Sequence, residues 1–190
     1  STGYTGTNSS GNGFAITFVI ANNSGQDILI TEMGRWGSTS HNGTTSDLWY
    51  STSSLSGTYG TLAGPTWSLA HTQTVSGVTT TGVNAFNTNI GLIMPAGETW
   101  RFAAYTTGPN QYSGTGVGTC TPNTFTSPSG VVMYTGDYSI AGGYVGFGAT
   151  NNPRFFTGYL TFEIMANGPN DAGITAITSP GYYCANDTQD

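Results

Sequence analysis

Alternation of large apolar side chains with small or polar ones is the clearest pattern along this chain. It runs from Phe14 to Ile20 and recurs at Trp100, Phe102 and Ala104. A period of two is typical of a β-strand, whereas no window shows the 3.6-residue apolar stripe of a helix. About nine strands are predicted from such patterns and from the turn residues between them: 14–20, 27–33, 47–52, 66–75, 83–92, 98–106, 131–134, 144–147 and 154–166.

The segments between these strands are long and uneven. The turn cluster Asn22–Gly25 is expected to return the chain into its second strand, and Gly34–Ser46 and Gly108–Gly130 read as polar loops. Pro95 and Gly97 mark another turn. Short strands joined by uneven loops favour an all-β fold, a jelly-roll-like antiparallel β-sandwich.

The residue composition and patterning of the chain change near its C-terminal end. Residues 1–168 are assigned to the β-sandwich module, and residues 169–190 to a linker and a single strand. One strand alone cannot form a domain. Ile174 and Ile177 are therefore candidates for an assembly strand. Three alternatives stay open: this strand begins a following Ig-like module, packs on its own body, or is donated to a neighbouring subunit.

Charged residues are scarce, and this narrows the classes of partner that the protein is expected to bind. Only 6% of the residues are charged, there are three cations and all are arginine, and the net charge is −6. Binding to nucleic acid or to anionic lipid needs clustered Lys and Arg, so neither is expected. No apolar run approaches the roughly 20 residues of a membrane helix, so no membrane insertion is expected. Aromatic residues at 13% argue for a folded domain, and its hydroxyl- and amide-rich surface favours an extracellular location.

Two stretches carry a resemblance to a known group of modules. Ile93–Phe102 (IMPAGETWRF) and the later NDAGITAITSP, from Asn170 to Pro180 with Cys184 beyond it, are the residues concerned. They resemble extracellular β-sandwich modules of large Bacteroidota surface and secreted proteins, followed by the opening of an Ig-like module. The resemblance implies a surface location, export by the type IX secretion route and adhesin- or gliding-filament-like roles. It implies no catalytic residues.

The two cysteines, Cys120 and Cys184, are a possible disulfide in an oxidising compartment. Closing so long a loop would stabilise the fold by roughly 4 kcal/mol in the chain-entropy model. The alternatives are two independent thiols, or a bond from Cys184 to a cysteine farther along a longer chain.

Catalytic and metal chemistry is poorly represented. His41 and His71 belong to no metal-binding or catalytic spacing, and Glu32, Glu98 and Glu163 each have a plain strand or turn interpretation. Oxygen ligands for Ca²⁺ could come from residues that turn formation explains equally well: Asp137, Asn170 and Asp171. The sequence therefore predicts no enzyme and no cofactor.

Binding of glycans is the best small-ligand hypothesis. Four residues in predicted loops supply aromatic faces and polar groups: Trp36, His41, Asn42 and Tyr112. The competing interpretation is that Trp36 caps the sandwich or stacks on Arg35 as a cation–π pair. The expected function is thus an extracellular structural or adhesive module of a cell-surface protein or filament. Its partners would be neighbouring modules, identical subunits or surface glycans, and the alternative is a carbohydrate-binding module.

Overall fold

A computed structural model describes residues 8–52, 66–112, 123–135, 142–143 and 155–165. One short 3₁₀ turn, Thr39–His41, interrupts the strands. The ten strands of these ranges are β1 (Asn8–Asn22), β2 (Ile28–Gly37), β3 (Thr45–Ser51), β4 (Ser68–Thr74), β5 (Gly82–Met94), β6 (Thr99–Tyr112), β7 (Asn123–Thr126), β8 (Val131–Thr135), β9 (Gly142–Gly143) and β10 (Gly158–Ile164).

The strands form two antiparallel sheets of unequal size. The large sheet has the order β4-β3-β6-β1-β8-β7, with β9 also paired to β1, and the small sheet has the order β10-β2-β5. Successive strands repeatedly cross from one sheet to the other, as in a jelly roll. The predicted all-β antiparallel sandwich is confirmed.

Strands β1 and β6 form the centre of the large sheet. Ile16 pairs with Ala104, Phe18 with Phe102, and Ile20 with Trp100. Because side chains alternate across a strand, this register sends all six to the face that meets the small sheet. Phe18 stacks on Phe102 with 5.6 Å between ring centroids, and on Phe156 with 4.2 Å.

The hydrophobic core lies between the two sheets. The small sheet contributes apolar side chains from the inner face of β2 and from β5, namely Ile28, Ile30, Met33, Ile90 and Met94. Trp49, Trp67 and Trp100 are all buried, and Trp100 belongs to this core.

The Asn22–Gly25 turn leads from β1 into β2, the expected second strand. It carries the chain from the large sheet to the small one. The buried side chain of Asn22 stabilises this connection, because its Nδ2 donates to the carbonyls of Gln26, Met94 and Pro95 at 2.9–3.1 Å. The side chain thus satisfies backbone groups that a hairpin would pair directly.

Two predicted loops contain strand. Strand β2 continues to Gly37, inside the predicted loop Gly34–Ser46, because its Arg35 is buried rather than solvated. Strand β6 reaches Tyr112, and β7 lies within the predicted loop Gly108–Gly130. The predicted turn at Pro95–Gly97 is present, and Gly97 adopts a φ of 80° there.

Several predictions lie outside the described residues. They concern the strand 144–147 and the division of the chain at residues 168 and 169. In the part that the structure describes, no helix is long and apolar enough to cross a membrane.

Candidate functional site

The structure does not bring the four predicted glycan-contact residues onto one exposed surface. His41 is fully buried, and both of its ring nitrogens are engaged. Its Nε2 lies 2.7 Å from the carbonyl oxygen of Pro109, and its Nδ1 accepts from the Ser38 backbone N–H at 3.1 Å. His41 anchors the start of the β2–β3 connection to the end of β6.

Asn42 and Tyr112 also have structural positions. The Asn42 side chain mimics a backbone pair with Val78, donating to its carbonyl at 2.9 Å and accepting from its N–H at 3.0 Å. Tyr112 is at the end of β6, not in a loop, and is buried in the core. Tyr112 faces the core, and the amide group of the exposed Asn42 is engaged by Val78.

Trp36 lies on an outward face of the small sheet. It is half-buried and lies on β2 next to the buried Arg35. Since neighbouring side chains on a strand point to opposite faces, Trp36 points away from the core. The interpretation that Trp36 stacks on Arg35 is wrong. The Arg35 guanidinium lies instead over the Phe86 ring, 5.7 Å from its centroid.

Trp36 shares the outer surface of the small sheet with a second aromatic residue, Tyr159 of β10. Tyr159 pairs with Gly34, and its ring lies over that glycine, where a Cβ would fall 2.2 Å from the ring. Only glycine leaves room for the ring at this point. Val83 pairs with Trp36 on the other side and is 38% exposed. We call this surface the outer aromatic face, defined by Glu32, Gly34, Trp36, Val83, Ala85 and Tyr159.

A carboxylate is fixed at the edge of the outer aromatic face. The Tyr159 hydroxyl donates to Glu32 Oε1 at 2.8 Å. Desolvation, together with this hydrogen bond and the nearby negative charge, raises the pKa of Tyr159 to about 12. The phenol therefore stays protonated at neutral pH, and Glu32 keeps free acceptor positions for another partner.

The outer aromatic face has the composition of a contact surface rather than of a reaction centre. Trp and Tyr combine a large apolar body with a polar tip, and both are enriched where proteins meet their partners. A ring held over a glycine is also fixed before binding, so little side-chain entropy remains to be lost.

A second polar feature, the buried Arg35, lies inside the sandwich and holds the two sheets together. Its Nη1 donates to the Ala104 carbonyl at 3.1 Å, and its Nη2 donates to Asn110 Oδ1. In the described part of the chain no carboxylate pairs with it. Burial lowers the pKa of Arg35 to about 10, so it is still a cation at neutral pH.

The sandwich has two lateral sides, and the first is closed by polar side chains. On this closed side, formed by the edge strands β4 and β5, Gln73 Oε1 accepts from the Thr88 backbone N–H at 2.7 Å. The buried Asn87 donates to the Ser46 carbonyl at 2.9 Å and accepts from Ser46 Oγ at 2.7 Å. Asn87 Nδ2 also lies 3.2 Å from His71 Nδ1. His71 therefore belongs to this structural network.

The opposite, open side lies between β7 with β8 of the large sheet and β10 of the small sheet. It contains a groove of about 570 Å³. Most of its lining is apolar, with Ile20, Ile28, Ile30, Phe125, Pro128, Val131, Met133, Leu160 and Phe162 joined by Thr124, Thr126 and Ser127. No charged side chain is among these lining residues.

The remaining candidates do not assemble into a reactive centre in the ranges described. No group of three or more His, Cys, Asp or Glu side chains comes together there to hold a metal ion. Glu98 accepts from Trp100 Nε1 at 3.2 Å, and Glu163 lies near the end of β10. The other predicted residues fall outside the described ranges: Cys120, Asp137, Asn170, Asp171, Ile174, Ile177 and Cys184.

Comparison of the chain with protein-family models, with curated proteins and with solved structures found no match. The functional argument therefore rests on the geometry of the described residues.

Sequence reasoning missed Tyr159 and the role of Glu32. Both lie on predicted strands, where each reads as an ordinary strand residue. Their meeting depends on the register of β10 against β2, which sets Tyr159 opposite Gly34. Gly34 could have given a signal only if the strand had been predicted to continue beyond Met33, because a glycine inside a strand often marks a close approach by another group.

Proposed function

We propose that this chain is a structural and adhesive module of an extracellular, modular surface protein or filament. The observation that carries the proposal is the outer aromatic face, where Trp36 and Tyr159 are held outward on a three-stranded sheet backed by the core. Such a module works through contact and display, and the proposal needs no cofactor.

The way the polar groups are used supports this proposal. His41 and Arg35 are committed to hydrogen bonds inside the sandwich. Asp47, another ionisable side chain, accepts from the Thr72 hydroxyl at 2.5 Å on the closed side. Hydrogen-bonded groups of this kind make the module rigid. The aromatic rings are then the groups that remain to contact a partner.

The low charge supports an extracellular setting. Amide and hydroxyl hydrogen bonds replace most of the ion pairs that salt would screen. A module built in this way keeps its stability when the ionic strength around it changes. The resemblance to Bacteroidota surface modules supports the same setting and the adhesin- or filament-like role.

Adhesion is tested with the purified full chain coated on beads. These should attach to the surface of the cells that produce the protein, and Trp36→Ala should weaken attachment at least about 10-fold, as for an interface hot spot. Leu69→Ala is the control, because Leu69 is an exposed apolar residue, 47% exposed, on the other sheet. Equal attachment by wild type and Trp36→Ala would contradict the role of this face.

The location is tested separately by antibody labelling. An antibody to the chain should label intact producing cells. Label that appears only after the cells are permeabilised would contradict the extracellular proposal.

A carbohydrate-binding module is the second candidate, and the Tyr159–Glu32 pair favours it. A sugar can place its C–H face on an aromatic ring while its hydroxyls donate to a fixed carboxylate. The outer aromatic face offers both within one patch, in place of the predicted set of Trp36, His41, Asn42 and Tyr112.

A glycan array with the full chain separates the two candidates. Saturable binding that is lost in Trp36→Ala and weakened in Tyr159→Phe would establish carbohydrate binding. The Tyr159→Phe variant keeps the ring but removes its hydrogen bond to Glu32. Absence of binding to any glycan, together with bead attachment that depends on Trp36, would assign the face to a protein partner.

A further inference from the structure

We propose that the groove on the open side binds the segment Ile174–Pro180 of this same chain, added as an antiparallel strand beside β10. The segment lies outside the described residues, so the argument starts from the groove and from the point where the described chain leaves it.

The groove has the two features that a strand acceptor needs. One is a strand edge: among the strands that the structure describes, β10 is the end strand of the small sheet and has β2 as its neighbour. The other is an apolar floor for alternate side chains of the added strand, formed here by Leu160, Phe162 and the facing Phe125. Backbone hydrogen bonds to such an edge give affinity, and side-chain pockets fix the register.

The described chain leaves the sandwich at one end of this groove. Ile164, the last residue of β10, pairs with Ile28, which lines the groove. The next residue, Met165, donates its N–H to the Asp27 carbonyl at 2.8 Å. The segment 166–173, which contains Gly168, Pro169 and Gly173, then separates β10 from Ile174. Its turn-forming composition suits a reversal of direction, and its length is sufficient for one.

The sequence from Ile174 onward has the alternation that the groove requires. Even-numbered positions are mostly apolar, and they are Ile174, Ala176, Thr178, Pro180, Tyr182 and Cys184. Odd-numbered positions are mostly polar or small, with Ile177 and Tyr183 as the exceptions. An extended strand with Ile174 facing the groove therefore places Ile177 toward solvent. The segment Ile174–Pro180 matches the seven residues of β10, and Pro180 suits the end of a strand.

Charge is consistent with this placement. The groove lining has no charged residue, and residues 174–184 have none either. The nearest carboxylates, Asp171 and Asp187, flank this uncharged stretch on both sides. They would remain in water when it docks, so no charge is buried without a partner.

The tether favours the same chain over a second copy. A segment joined to β10 by a short linker has a high effective concentration at the groove, of the order of millimolar. A second copy would have to compete with it at ordinary protein concentrations. The proposal thus commits to docking within one molecule.

Two substitutions in the full chain test the proposal, with a reducing agent present so that no disulfide contributes. Ile174→Asp should place a carboxylate in the apolar groove and lower the melting temperature by at least about 5 °C. Ile177→Asp, three residues away in the same segment, should change it by less than about 1 °C, since its side chain faces solvent. Both variants should sediment as monomers, like the wild type.

Three results would overturn the proposal. Equal, negligible effects of the two substitutions would show that the segment does not dock. A larger effect from Ile177→Asp would show that Ile177, rather than Ile174, faces the groove or makes another stabilising contact. Concentration-dependent assembly of the wild type that Ile174→Asp abolishes would assign the groove to the segment of a second copy.

Phe162→Ala in the full chain provides a check from the groove side. It should remove most of the difference in melting temperature between Ile174→Asp and Ile177→Asp. An unchanged difference would also contradict docking in this groove.

Discussion

The two lateral sides of this sandwich differ in how the gap between the sheets is covered. On the closed side, the amide group of Gln73 links β4 to β5 and that of Asn87 links β5 to β3, so hydrogen bonds connect the two sheets there. On the open side, β7 and β10 are separated by an apolar groove of about 570 Å³. One side is complete among the described residues, whereas the other presents an apolar surface of the kind that marks a binding site.

The difference shows how a chain with few charges builds specific edges. Amide side chains can act as extra backbone groups, so they satisfy an edge strand without adding another strand. An apolar edge offers no such bonds and gains stability only when something covers it. The closed side should therefore be sensitive to the loss of hydrogen bonds, and the open side to the loss of apolar contact.

The core between the two sides should show the largest effect and provides the scale for the others. Phe102→Ala removes a fully buried ring that stacks on Phe18, so it should lower the free energy of unfolding by about 3–5 kcal/mol. Chemical denaturation checks this, with the exposed Leu69→Ala as the control. A loss below about 1 kcal/mol would mean that the β1–β6 register is wrong.

The closed side should respond next most strongly, and to a polar change. Asn87→Ala leaves the buried Ser46 carbonyl and hydroxyl without their partner, which should cost about 2–3 kcal/mol. Thr124→Ala, a polar truncation on the open side, should change stability by less than about 0.5 kcal/mol. Equal losses in these two variants, measured by denaturation, would remove the distinction between the sides.

Alkaline pH should loosen the structure at β10, on the border of the open side. Folding raises the pKa of Tyr159 from 10.0 to about 12, so the folded state binds this proton more tightly than the unfolded state. The resulting stability is fully present below pH 10 and is lost as the pH rises through 12. Wild type should therefore lose more stability than Tyr159→Phe between these pH values. Parallel pH profiles of the two proteins would contradict this.

Salt should have the smallest effect on either side. With 6% charged residues, screening has few interactions to weaken. The melting temperature should change by less than about 2 °C between about 0.01 M and 0.5 M NaCl. A large fall would indicate an ionic cluster or a bound ion.

The sequence predicted the parts of the fold in which local pattern and burial agree. In β1 and β6 the alternation of Phe18 and Phe102 with smaller residues is enough to assign both the strand and its inner face. The turn at Pro95–Gly97 follows from the conformational preferences of its residues.

The parts that were missed depend on contacts between distant residues. Arg35 reads as a loop residue, because nothing nearby in sequence reveals that Ala104 and Asn110 accept its hydrogen bonds. His41 lies among Ser, Gly, Asn and Thr, yet Pro109 and Phe86 bury it. Strand β7 is too short and polar to show a period of two, and its pairing with β8 makes it a strand.

The most direct test of the contrast between the two sides is residue-resolved hydrogen exchange on the full chain. If residues 174–180 cover the open side, the β10 amides that point away from β2 should exchange slowly in wild type. In Ile174→Asp they should exchange about 10–100-fold faster, while the amides of β4 and β5 keep their wild-type rates. Fast exchange of these β10 amides in the wild type, unchanged by Ile174→Asp, would contradict the account.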